Sequence, residues 1–98
     1  MEYSSKKIKN LIFKVIPLLK LGNENYWLNY FNYVLASFDN SNNEKEIIRS
    51  FSQIFKGGMG SFSDLVLHRN GIPLIEENNQ LESLKDQLFD ACEEYLRN

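Results

Sequence analysis

The chain has 98 residues, 43% of them hydrophobic and 13% aromatic, with a formal net charge of -2. That is enough for one domain with one modest core, and too apolar for a disordered segment. A single cysteine, Cys92, excludes an internal disulfide and any cysteine-rich metal framework.

Charge is unevenly spread. Residues 1–20 carry +4, residues 76–98 carry -5, and the middle carries -1. A basic first helix and an acidic last helix would attract each other if packed side by side, although surface pairs are worth only ~0–1 kcal/mol. Lysines precede the first apolar run, as in a signal peptide. Lys14 and Lys20 interrupt that run and no small-residue cleavage site follows, so a soluble, cytoplasmic protein with no membrane span is expected.

Four helices are expected, near 5–20, 24–39, 43–56 and 78–97. Ser4 or Ser5 can cap the first, whose stripe is Ile8, Leu11, Ile12, Val15, Ile16 and Leu19. Pro17 removes a backbone bond and predicts a kink, or a helix that loosens before Gly22. Asn23 reads as the N-cap of the second helix, with Glu24 in its first turn. Trp27, Tyr30, Phe31, Val34, Leu35 and Phe38 give that helix an aromatic core face, with Trp27 largely buried. A ligand or base-stacking patch is the competing reading. Asn43-x-x-Glu46 resembles a capping box for the third helix, whose stripe is Ile47, Ile48, Phe51, Ile54 and Phe55.

The punctuation of the chain is the stretch Lys56 to Leu67, where three of the five glycines fall within four residues. Gly57 or Gly58 should stop the third helix, and at least one of Gly57, Gly58 and Gly60 should have φ > 0. Ser61-x-x-Asp64 has the form of a capping box, and Leu65-Val66-Leu67 runs as a strand would. Asn70-Gly71 between apolar runs predicts a type I′ hairpin in which Arg69 pairs with Ile72 and His68 with Pro73. Leu65, Leu67, Ile72 and Leu74 would then share one face. Asn79-x-x-Glu82 opens the last helix, with the stripe Leu81, Leu84, Leu88, Ala91, Cys92 and Tyr95. The fold class is therefore mainly α: a small four-helix domain over residues 1–98, with a β-hairpin between helices 3 and 4.

No catalytic residue, cofactor site or metal site is read from the sequence. The glycine stretch lacks the Gly-x-x-x-x-Gly-Lys-Ser/Thr phosphate loop and does not connect a strand to a long helix. His68 is read as an exposed strand residue and Cys92 as a small buried one. The acidic balance argues against a nucleic-acid partner. Glu82, Asp86, Asp90, Glu93 and Glu94 cluster opposite the stripe of the last helix. They form either a solvated face or a surface for a basic partner.

The run Gly58-Met59-Gly60-Ser61-Phe62-Ser63-Asp64-Leu65-Val66-Leu67 resembles the core of a family of short bacterial proteins. Members share Gly-Met-Gly-Ser-Phe-x-Asp-Leu-Val-Leu, often followed by a turn and a Leu-rich helix, and the resemblance covers about residues 45–97. The family is similar to immunity proteins of polymorphic or contact-dependent toxin systems. The resemblance implies a non-enzymatic protein that binds and neutralises a cognate toxin domain. Were that toxin a nuclease, its basic site would suit acidic side chains that mimic phosphates. The expected surface is Glu82, Asp86, Asp90 and Glu93, joined by Glu76 and Glu77. The alternative is a regulatory or structural adaptor with no toxin partner.

Overall fold

The computed structural model describes residues 5–40, 43–56 and 60–97. Four helices, α1 (Ser5–Leu21), α2 (Asn25–Asn40), α3 (Glu44–Ser52) and α4 (Ile75–Arg97), form the fold. A short antiparallel hairpin, β1 (His68–Arg69) and β2 (Ile72–Pro73), lies between α3 and α4. α1 packs on α2 and α4, and α3 packs on α2 and α4. The four stripes close on one core in which Ile12, Val15, Leu19, Phe31, Ile48, Phe51, Leu81 and Leu88 are fully buried. Burial of a large aliphatic or aromatic side chain contributes ~1.5–3 kcal/mol, so this interior is the main stabilising term.

α1 continues as helix past Pro17 to Leu21 and does not loosen before Gly22. Pro17 lies on the exposed side, where the carbonyl that loses its N–H partner belongs to Phe13, itself 59% exposed, so water can satisfy it. Ser5 is not a cap. It is already helical, the first described residue of α1, and its hydroxyl donates to the Glu44 carboxylate at 2.9 Å. Ser4 lies outside the described residues.

Asn23 does not cap α2; it ends α1. Its φ is 56°, its N–H reaches the Lys20 carbonyl, and the Glu24 N–H reaches that of Leu19. This pair of bonds is a Schellman closure with asparagine in the left-handed position. Glu24 then takes the N-cap position of α2, since its carbonyl accepts the Leu28 N–H at 2.8 Å. Gly22 lies close against the hairpin stem: a Cβ there would meet Leu67 Cδ2 at 2.9 Å, so the Leu67 side chain would have to shift.

The α3 cap is as read: the Glu46 N–H donates to Asn43 Oδ1 at 3.2 Å. α3 ends earlier than expected, tightening into a 3₁₀ turn over Gln53–Phe55, and Lys56 is already extended. The chain thus leaves the helix before Gly57; Gly57 and Gly58 themselves lie outside the described residues. Gly60 has φ +90°, the left-handed turn expected of this stretch.

Ser61 and Asp64 form no capping box. Ser61 heads only a 3₁₀ turn, Phe62–Asp64, without a side-chain cap. Among the described residues its buried hydroxyl has no partner. The turn instead delivers Phe62 to the core, 4.9 Å from the Phe31 ring centroid and 5.1 Å from that of Trp27. Trp27 is half-buried at the rim of this aromatic cluster. Most of the Trp27 surface is covered, as expected of the α2 core face, while Phe62 holds the fully enclosed place.

Leu65-Val66-Leu67 is not a strand; β1 starts at His68, although the Leu74 N–H still reaches the Leu67 carbonyl across the hairpin at 3.0 Å. The register is as read, with Arg69 opposite Ile72 and His68 opposite Pro73. Asn70 (φ 54°) and Gly71 (φ 79°) supply the two left-handed residues of a type I′ turn. Leu67 is buried and Leu65 and Leu74 pack against the core, whereas Ile72 at the tip is 67% exposed and leaves the shared face.

α4 begins at Ile75, four residues before Asn79. The Asn78 N–H reaches the Leu74 carbonyl at 2.8 Å, so the hairpin's last residue is the cap and no Ser, Thr or Asp is needed. The Asn78 side chain turns back: Oδ1 accepts the Leu67 N–H at 2.7 Å, and Nδ2 donates to the Leu67 carbonyl at 3.0 Å.

Candidate functional site

α4 presents its stripe inward as expected: Leu81, Leu84, Leu88, Ala91 and Cys92 are buried. Glu82, Asp86, Asp90 and Glu93 follow at spacings of three and four, and at 100° per residue they span about 80° of arc. Glu82, Asp86 and Asp90 are exposed and Glu93 is half-buried. Glu76 and Glu77 stand in the first turn of α4, where they complement the positive helix end. Asp86 lies ten residues from Glu76 and nine from Glu77, which turns both off the arc, Glu77 to the opposite side. Glu77 is accordingly half-buried.

The arc is not a uniform row of free carboxylates. Glu82 is bonded to Lys85 at 2.8 Å, and Glu93 lies 4.0 Å from Lys56. Asp86 and Asp90 have no ion pair among the described residues. They border an open groove with Phe55, Ser63, Lys85 and Phe89. Phe89, 37% exposed, stands between them in sequence and meets the Phe55 ring edge-on at 6.2 Å.

Lys85 is the residue that sequence reasoning missed. Its side chain is 5% exposed. Nζ donates to the Ser63 carbonyl at 3.0 Å, the Leu65 carbonyl at 2.8 Å and Glu82 Oε2 at 2.8 Å. It also sits 5.7 Å from the Phe62 ring centroid. An ammonium has three N–H donors, and all three are used here. Lys85 therefore ties the segment after the glycines to α4 and is not a free nucleophile. The signal was present: position 85 is four residues after Leu81, three before Leu88 and seven before Cys92, squarely on the apolar face.

Of the other singled-out residues, His68 is exposed with Nδ1 3.0 Å from the Val66 carbonyl. Cys92 is fully buried, and burial, with a smaller contribution from the Glu93 carboxylate, pushes its thiol up to about 12. Among the described residues, no three His, Cys, Asp or Glu side chains come together to hold a metal, and no helix is long and apolar enough to cross a membrane.

No curated protein and no solved structure is significantly similar to the chain. One family, described as Domain of unknown function (DUF6966), matches residues 20–75. The match takes in α2, α3, the glycine stretch and the hairpin, and stops as α4 begins. It spans more than half of the sequence, and the chain belongs to this family.

Proposed function

We propose that this chain is an immunity-type protein, a non-catalytic binder that covers a basic surface on a cytotoxic protein domain and so protects the cell that makes it. The observation that carries the reading is the α4 arc, where Asp86 and Asp90 flank the partly exposed ring of Phe89 beside an open groove. Complementary charge speeds encounter and sets orientation, while the ring supplies apolar area at the centre of the contact. The resemblance of the Gly58–Leu67 run to immunity-like proteins supports the same reading.

The test is co-expression with the toxin domain encoded beside the gene. The parent chain restores growth, and the double variant Asp86→Lys/Asp90→Lys loses protection while keeping its thermal melt. Glu82 and Glu93 are spared in this design because Glu82 holds Lys85. Association should also slow as salt is added. A double variant that folds and protects fully removes the α4 surface from the proposal. A parent that neither protects nor binds any neighbouring gene product leaves the adaptor role in its place.

A further inference from the structure

The outward face of α2 carries no charge from Asn25 to Phe38. Its exposed positions are Asn25, Tyr26, Asn29, Asn32, Tyr33 and Ala36. A solvated helix face ordinarily carries Lys, Glu or Arg. Loss of charge together with tyrosine enrichment is instead the composition of protein-binding surfaces, where tyrosine offers rigid contact area at low entropic cost. Tyr26 is 75% and Tyr33 68% exposed.

Beside Tyr33, α2 and α3 enclose a groove of about 200 Å³. Buried Val34 and Phe51 form its floor, Tyr30 and Tyr33 its aromatic wall, and Ile47 and Glu46 its α3 side. The space is below the range of small-molecule pockets and suits a single long side chain. Glu46 already holds a guanidinium, that of Arg49 one turn on, and both partners remain more than half exposed. All the groove residues fall inside the family match over residues 20–75, whereas the α4 carboxylates fall outside it.

We propose that this groove seats an arginine side chain presented by a protein partner. The alkyl stem lies over Val34 and Phe51, the guanidinium plane faces the tyrosine rings, and the charge is met by Glu46 in exchange for Arg49. Arginine fits better than lysine because its planar head can stack on a ring and pair with a carboxylate at once. This surface is separate from the α4 arc and does not depend on it.

The experiment titrates the isotope-labelled full chain with N-acetyl-arginine amide, N-acetyl-lysine amide and N-acetyl-leucine amide, following backbone amide shifts. The arginine amide is expected to give saturable millimolar shifts at Tyr30, Tyr33, Glu46 and Ser50, with the lysine amide about fivefold weaker. Tyr33→Ala and Glu46→Gln should each weaken arginine binding about fivefold. Asp86→Lys/Asp90→Lys should leave it unchanged. Leucine amide binding as well as arginine amide would overturn the cationic assignment, and shifts confined to α4, or none at all, would overturn the site.

Discussion

Cys92 and Lys85 share one helix face, and the contrast between them shows what a residue pattern can reveal. Cys92 was legible because a small apolar side chain on an apolar stripe needs nothing further to be buried. With its thiol pushed up to about 12, about one molecule in ten thousand carries a thiolate at pH 8. Native protein should therefore react with an aromatic disulfide reagent many-fold more slowly than protein in denaturant, and equal rates would contradict this burial. The folded state holds the thiol proton more tightly than the unfolded chain, so this contribution is constant below pH 9 and falls as pH rises from 9 towards 12. Lys85 was not legible. Its burial depends on two carbonyls about twenty residues earlier, and a one-dimensional pattern does not say that those carbonyls will lack other partners.

The boundaries that differ between expectation and structure all lie where one element is completed by another. The start of α3 was legible because its cap is local, Asn43 serving Glu46. The start of α4 was not, because its cap is a leucine carbonyl positioned by the hairpin. Asn23 has the right chemistry for either end of a helix, and the Leu19 and Lys20 carbonyls decide for the end of α1. The glycine stretch was recognised as a turn, but its purpose, delivery of Phe62 to the aromatic core, came only with the fold. Lys85→Met tests how firmly that turn is tied down. The substitution keeps an unbranched side chain one atom shorter and strands the Ser63 and Leu65 carbonyls, and should cost ~2–4 kcal/mol in urea denaturation. Glu82→Gln, at an exposed position, should stay within ~1 kcal/mol of the parent. Equal stability of Lys85→Met and the parent would show that the tether is dispensable.

The molecule is 42 Å long and 23 Å across, and apart from Lys85 its charges avoid the buried core. α1 and α4 do pack together, as their opposite charges suggest. What joins them is apolar: the α1 lysines Lys6, Lys7 and Lys14 line a groove whose α4 side is the neutral Gln87. The acidic arc turns instead towards the α3 side, next to Phe55 and Lys56. The separation legible in the charge count thus survives as two walls of opposite sign, an arrangement that steers an incoming charged partner. The hairpin has a different consequence for the molecule as a whole. A two-stranded ribbon leaves two open borders that can recruit further strands and seed fibrils. Here Pro73 offers no N–H along one border. The Leu67 carbonyl accepts one further bond from the Leu74 N–H at 3.0 Å, and the Asn78 amide then engages both backbone groups of Leu67, closing that end of the ribbon. Asn78→Ala should free that end, and the variant should form thioflavin-positive aggregates on prolonged agitation while the parent remains clear. A side chain in the first turn of the last helix thereby also keeps the ribbon from growing.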